Sequence, residues 1–340
     1  MKIGNVELSG RLVLAPMAGV SDRTFRRICR ERGAEYTVSE MVSAKALCYE
    51  QRSKSKEVTL SASAKLATVF ETDLPMSVQI FGREPEFMAE AARMLEAGSY
   101  RNCISDAAPS AIDINMGCPV KKITGNGEGR ALMKEPELAG RIAEAVVRAV
   151  KLPVTVKIRA GWDATSKNAP EFAKILEAAG VSAICVHART REQFYAPEID
   201  MSVIEKVKNA VSVPVIGNGN IRSANDATEM LDKTGCDGIM IGMGAMGNPW
   251  IFDEISSALE GKEYTFPTCE ERLEQALAQL FSMIDEHGER TGFACAKKHL
   301  AWYISGMRGS AKARNSIMSA ADPNDIKEIF SELLCMQEIL

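Results

Sequence analysis

Ile112-Asp113-Ile114-Asn115-Met116-Gly117-Cys118-Pro119 opens as a short apolar strand and closes in a Gly-Cys-Pro turn. A proline has no N–H with which to continue a ladder, so the side chains at the end of such a strand are delivered to a loop over a rigid sheet. Here they are an amide, Asn115, and a thiol, Cys118. Taken alone, the cysteine reads as a small core hydrophobe, the commoner fate of a free thiol. The rest of the chain gives it a different setting.

To either side of this stretch, short apolar runs alternate with segments of helical spacing, the pattern of parallel strands joined by helices. The strand runs are Leu12–Ala15, Tyr36–Ser39, Met76–Phe81, Ala111–Asn115, Val154–Ile158, Ala183–Val186, Val213–Ile216 and Gly238–Ile241. Helical spacing falls between them at Glu86–Leu95, Pro136–Val150, Pro170–Ala178, Ser202–Ala210 and Ala224–Lys233. Eight such units in roughly 250 residues predict an α/β fold, a TIM (β/α)8 barrel, over an open doubly wound sheet with fewer strands. Ser53–Leu74 reads as a polar loop with a helical turn, and Gly98–Pro109 as a surface insertion.

The pattern changes after Gly261, where Leu273, Ala276, Leu277, Leu280, Phe281 and Ile284, and then Ile326, Ile329, Phe330, Leu333 and Leu334, recur at helical spacing. The expected organisation is therefore a catalytic barrel over residues 1–258 followed by a small all-helical C-terminal domain over 259–340. From Arg290 to Ala321 this tail carries Arg290, Lys297, Lys298, Arg308, Lys312 and Arg314 with no Asp or Glu, although the chain has a net charge of −4. A one-sign stretch with Trp302 and Tyr303 interleaved suits a polyanion, against the plainer alternative of a solvated helix face.

At 340 residues, 46% hydrophobic and 25% charged, the composition is that of a soluble globular protein. The first residues lack a long apolar core and no apolar run approaches the roughly 18 residues of a span, so a cytoplasmic location without a membrane is expected. The nine cysteines are scattered, with no Cys-x-x-Cys pair. Reduced thiols and no metal site follow as the expectation.

In a barrel of this kind chemistry gathers just past the strand ends. Those positions hold Pro16-Met17-Ala18-Gly19, Gln79, Asn115 with Cys118, Lys157-Ile158-Arg159, His187-Ala188-Arg189-Thr190, Gly217-Asn218-Gly219-Asn220 and Gly242-Met243-Gly244. Glycines dominate the last two rims, where loops after the seventh and eighth strands often bind phosphate, because glycine lets backbone N–H groups approach an anion. Gly242 to Gly247 also fits G-x-G-x-x-G, but no βαβ unit follows it, so a barrel phosphate loop is the better reading.

Ala-Pro-Met-Ala-Gly, Gln-Ile-Phe-Gly, Asn-Met-Gly-Cys-Pro, Lys-Ile-Arg-Ala-Gly-Trp, His-Ala-Arg-Thr, Gly-Asn-Gly-Asn-Ile and Gly-Asn-Pro-Trp occur in this order. In that order and spacing they resemble the bacterial tRNA-dihydrouridine synthases, of the B class. The likeness extends over nearly the whole chain, including Lys298-His299, Trp302-Tyr303, Gly306 and Arg314 of the tail. It implies that Pro16, Met17 and Ala18 lie against FMN, that Gln79 and Lys157 bond its ring edge, and that Asn218, Gly219, Asn220, Gly242 and Met243 hold its phosphate. It further implies His187 beside flavin and substrate, Asn115 orienting the base, and Cys118 as the proton donor. Arg159 and Arg189 join the same rim on the substrate side. Lys297, Lys298, Arg308 and Arg314 fall to the tRNA, with no obligatory protein partner. Two positions depart from the family pattern: Asn220 stands where an Asp is usual, and Met243 where an Arg is usual, removing a guanidinium suited to phosphate.

Reducing the C5–C6 bond of uridine needs a hydride at C6, which a flavin supplies after reloading by NADPH or NADH, and a proton at C5 from a positioned acid. A thiol of pKa about 8.5 is protonated at neutral pH and fits that role. A buried base must leave its stack to reach such a site. Two other classes compete: a flavin-dependent barrel dehydrogenase for a small molecule such as a dihydropyrimidine, and a non-catalytic RNA-binding barrel. The acid-free tail speaks against the first, and the joint presence of Cys118, Asn115 and Lys157 against the second.

Overall fold

In the computed structural model, which describes residues 1–53, 61–101, 103–163, 165–189 and 199–337, the eight apolar runs become short strands buried along most of their length, and three strands of two residues join them. They are β1 Lys2–Ile3, β2 Val6–Glu7, β3 Leu12–Leu14, β4 Tyr36–Val38, β5 Val42–Ser43, β6 Met76–Phe81, β7 Ala111–Met116, β8 Val154–Arg159, β9 Ala183–His187, β10 Val215–Asn218 and β11 Gly238–Ile241. Strands β3, β4 and β6 to β11 pair in parallel in chain order, and β11 pairs back onto β3. The ring of eight parallel strands is closed, and the architecture is the expected (β/α)8 barrel. β5 adds only a short pairing at the end of β6.

The seventh barrel strand begins at Val215, later than the apolar run suggests. Pro214 precedes it and has no N–H for the ladder, although its carbonyl still accepts from Ile184 N. Three of the flanking helices, Pro85–Glu96, Pro136–Ala149 and Ala169–Ala178, open with a proline in the first turn, where the missing N–H costs nothing. Their apolar faces join Val78, Ile112, Ile114, Val156, Ile184 and Ile239 in the main core.

A hairpin of β1 and β2, too short to read from sequence, closes the N-terminal end of the barrel. Its Ile3 packs with Val13, Tyr36, Ala183, Cys185, Ile216 and Met240, so the barrel interior is filled below and open only at the opposite rim. The 98–109 segment is more than a surface insertion, because Tyr100 is buried in the main core. In the 53–74 stretch, helix Ala62–Ala67 and a 3₁₀ turn at Glu71–Asp73 are formed, while residues 54–60 lie outside the described residues.

Helix Ile251–Leu259 packs Ile251, Phe252 and Ile255 into the barrel core, and the tail beyond it consists of helices Cys269–His287, Glu289–Tyr303, Ser310–Ser319 and Pro323–Gln337. Thr268 and Glu271 form a capping box that starts the longest of them. Leu273, Ala276, Leu280, Phe330 and Leu333 build an apolar cluster of their own, anchored by Trp250. This cluster is seated on the first barrel helix, Arg23–Glu31, through Thr24 Oγ1 donating to Glu286 at 2.8 Å and Arg27 donating to Ser282 at 2.9 Å. Among the described residues no helix is long and apolar enough to cross a membrane.

Candidate active site

Parallel strands bring their C-terminal ends to one rim, and a cavity of about 510 Å³ opens there. Pro16, Met17 and Ala18 line it from the loop after β3, Gln79 from β6, and Asn115 and Cys118 from β7 and its turn. Lys157 and Arg159 face it from β8, His187 and Arg189 from the end of β9, Asn218, Gly219 and Asn220 from β10, and Gly242 and Met243 from the loop after β11. All the barrel residues to which the resemblance gives a role thus converge on one space, although Thr190 of the same motif lies outside the described residues.

The register explains the convergence. Gln79 is level with Asp113, Asn115 with Lys157, and Arg159 and Asn218 with His187. Strand side chains alternate between faces, so Asp113 and Asn115 share the inner face, as do Thr155, Lys157 and Arg159. Gln79 Nε2 donates to Asp113 Oδ2 at 2.7 Å, and Thr155 Oγ1 donates to the other oxygen at 2.5 Å. Gln79 Oε1 accepts from Asn115 Nδ2 at 2.7 Å, and Asn115 Oδ1 accepts from Cys118 N at 2.9 Å and Gly117 N at 3.2 Å. A buried carboxylate therefore sets the amide orientation of Gln79, which sets that of Asn115, which holds the Cys118 turn. Asn115 buttresses the thiol loop with the oxygen of its amide, while the amide nitrogen is held by Gln79.

Behind Cys118 the turn is held from two sides. A Cβ at Gly117 would lie 3.3 Å from Lys157 O, and one at Gly129, whose φ is +58°, would lie 3.0 Å from Cys118 O. Arg159 Nε donates to Gly117 O at 2.9 Å and Arg130 N to Cys118 O at 3.2 Å. Burial pushes the Cys118 thiol above its ordinary value, opposed by the Val120 backbone and by Arg159, Arg130 and Lys157. The thiol is consequently an acid at neutral pH, not a thiolate.

The other groups are also tuned by desolvation. Burial pushes Asp113 up to about 6 against the pull of its two donors and of Lys157. Burial lowers Lys157, whose Nζ donates to Asn218 Oδ1 at 2.9 Å, while Asn218 Nδ2 donates to Met240 O at 2.7 Å. Burial pushes His187 well below the usual histidine range, reinforced by Lys157, Arg159 and Arg189, so its imidazole is neutral. Arg189, almost wholly buried, donates to Asn220 Oδ1 at 2.5 Å. Asn220 has a φ of 55°, the one positive φ outside glycine among the described residues, a region in which asparagine is tolerated.

The tail cations divide. Lys297 Nζ donates to Ala320 O at 2.6 Å and Met318 O at 3.3 Å, capping the carbonyl end of helix Ser310–Ser319. Tyr303 is buried, its hydroxyl donating to Gln279 Oε1 at 2.9 Å. Arg290, Arg308, Lys312 and Arg314 are exposed. Lys298 is half-buried beside the first barrel loop, its Nζ 3.4 Å from where a Cβ on Gly19 would stand.

Sequence reasoning missed Asp113 and Thr155 behind the amides, and Arg222 and Val120 in the cavity wall. A lone carboxylate inside an apolar strand was a signal for Asp113. A cation directly after the glycine-rich rim was one for Arg222.

With this geometry in hand, relatives are informative. The family model described as dihydrouridine synthase (Dus) matches residues 13–338. A probable tRNA-dihydrouridine synthase of Rickettsia conorii is 44% identical over 333 residues, covering 98% of this chain and 96% of the relative. The tRNA-dihydrouridine synthase B of Pseudomonas aeruginosa is 38% identical over 342 residues, covering 98% and 96%. Among solved structures, morphinone reductase superposes with a TM-score of 0.52 at 13% identity, covering 80% of this chain and 91% of that one. A variant of NCR from Zymomonas mobilis gives 0.52 at 16%, covering 80% and 93%. At such identities the structural likeness concerns the barrel alone.

Proposed function

The chain belongs to the dihydrouridine synthase family, and we propose that it reduces the C5–C6 double bond of specific uridines in tRNA to dihydrouridine, with FMN as its flavin and NADPH or NADH as the reductant that reloads it. The observation that carries this reading is the meeting, in one cavity, of the Cys118 thiol with Lys157, His187 and two glycine-rich rims.

The residues fit a flavin. The cavity is within the roughly 300–1,000 Å³ of cofactor sites, apolar on the side of Pro16, Met17 and Ala18 and polar at Gln79, Lys157 and Asn218. At its far end a Cβ on Gly244 would fall 2.0 Å from Ile221 O, so only bare backbone fits where the two rims meet. Gln79 and Lys157 would hold the ring edge, and the loops at 218–220 and 242–244 the phosphate. Bound there, the flavin supplies the hydride for C6 of the uracil.

The protein supplies the rest. Cys118, half-buried at the cavity wall, keeps its proton because partial desolvation raises its thiol, and delivers it to C5, where charge would otherwise build up. Asp113, Gln79 and Asn115 hold the donating loop in place. His187 enters as a neutral hydrogen-bonding partner of the base. A uridine has to swing out of its stack to enter this rim, and Lys298, Arg308 and Arg314 grip the remaining RNA.

Incubating the purified protein with FMN, NADPH and unmodified tRNA, then digesting the tRNA to nucleosides, tests the reading. Dihydrouridine should appear at defined positions. Turnover of free uridine or a small dihydropyrimidine, with the tRNA left unchanged, would remove tRNA as the substrate.

A further inference from the structure

We infer that Arg222 is the side chain that pairs with the phosphate end of the bound flavin, in place of a cation at position 243. The inference rests on the flavin reading above and concerns the end of the cavity where the two glycine-rich rims touch. The contact of Gly244 with Ile221 O makes the loop after β10 and the turn Met243–Ala245 one continuous surface, and Arg222 follows Ile221 directly on it. A phosphate brought there carries negative charge into a partly enclosed site and needs a cation as well as backbone N–H groups.

Four cations line the cavity: Lys157, Arg159, Arg189 and Arg222. Lys157 is tied to Asn218, and Arg159 to the Gly117 carbonyl on the side of the thiol. Arg189 is almost wholly buried against Asn220. Arg222 differs from these three. It is exposed, its backbone N–H donates to Asp226 Oδ2 at 2.8 Å, and among the described residues its guanidinium makes no ion pair. At position 243 the rim presents a methionine that is 43% exposed and faces the cavity, so no charge comes from there. A guanidinium with two parallel N–H donors on a long, rotatable stem is the group best suited to close over a phosphate from that loop.

The test uses the full-length protein freed of flavin, with FMN and riboflavin as the two probes, their binding followed by quenching of flavin fluorescence. Riboflavin lacks only the phosphate. Arg222→Ala should weaken FMN by roughly ten- to a hundredfold and leave riboflavin unchanged. Adding Met243→Arg to that variant should restore most of the lost FMN affinity. Unchanged FMN affinity in Arg222→Ala overturns the assignment, and so does an equal loss for both flavins, which would place the effect away from the phosphate. Intact FMN binding with weakened tRNA binding also overturns it and gives the guanidinium to an RNA phosphate. Wild-type protein that binds FMN no more tightly than riboflavin overturns it while the flavin reading stands. Wild-type protein that takes up neither flavin overturns both.

Discussion

At the barrel rim Lys157, Arg159 and Arg189 each donate to a neutral oxygen of the chain, whereas Arg290, Arg308, Lys312 and Arg314 on the tail stand in solvent. Both regions carry positive charge, but they use it differently. Rim cations are fixed by hydrogen bonds in a low-dielectric setting, where their field is felt at full strength and is little screened by salt. Tail cations act through a diffuse field that depends on ionic strength. The rim is therefore suited to chemistry on one small ring, and the tail to holding a long polyanion.

The largest effect that would break this division lies at Cys118. Cys118→Ala should leave binding of FMN and its reduction by NADPH intact, and slow reoxidation by tRNA by roughly a hundred- to ten-thousandfold. The salt dependence of tRNA binding should not move. Rapid mixing of anaerobically reduced enzyme with unmodified tRNA measures this, and wild-type rates in the variant would return Cys118 to the status of an inert core thiol.

A second effect, of about 3 kcal/mol, concerns stability, since Asp113 titrates at about 6 in the folded chain against an ordinary 3.8 and each pH unit between them is worth about 1.36 kcal/mol. The folded state binds that proton more tightly, so the contribution is fully present below about pH 4 and is lost as pH rises through about 6. Asp113→Asn keeps the shape and lets the Thr155 hydroxyl accept, so its denaturation midpoint should fall less between pH 4 and 7 than that of the wild type. What dependence remains belongs in part to Asp22 at the seam with the tail, which burial also raises to about 6. Parallel pH profiles of the two proteins would contradict this account of Asp113.

The smallest effect separates the tail lysines from each other. Replacing Lys298, Arg308 and Arg314 by glutamine should weaken tRNA binding and flatten its log–log salt dependence by up to about 0.9 for each phosphate no longer neutralised. Lys297→Met should cost about 1 kcal/mol of stability through the carbonyls it caps, and leave that slope alone. A salt slope that falls for Lys297→Met and holds for the triple variant would reverse the assignment of the two groups.

The barrel was legible because its signals are local. Runs such as Met76–Phe81 and Val154–Ile158 are long enough to be read singly, and their spacing leaves room for one helix each. The rim was legible for a related reason: in a parallel barrel the residues just past each strand must meet, so strand ends alone predict that Asn115, Lys157, His187 and Asn218 share a cavity. What was hidden depends on neighbours distant in the chain. Asp113 meets Gln79 and Thr155 only through cross-strand register, and Lys297 meets the 318–320 carbonyls only once two helices are packed. No periodicity in one segment reports such pairings.

The loop that carries the glycine-rich rim away from β11 reaches Gly247, whose φ is +68° and where a Cβ would stand 2.4 Å from the Trp302 backbone. Only a bare backbone lets the rim and the helix Glu289–Tyr303 come this close, and Thr24 and Arg27 fasten the same seam from the first barrel helix. The joint leaves little play. If the tail grips RNA as proposed, the exposed cations and the thiol keep a set separation, and the protein works as a caliper. A uridine would then be chosen by its distance from the gripped part of the fold, and widening the joint, for instance with Gly247→Ala, would blur the choice of position before it slowed the chemistry.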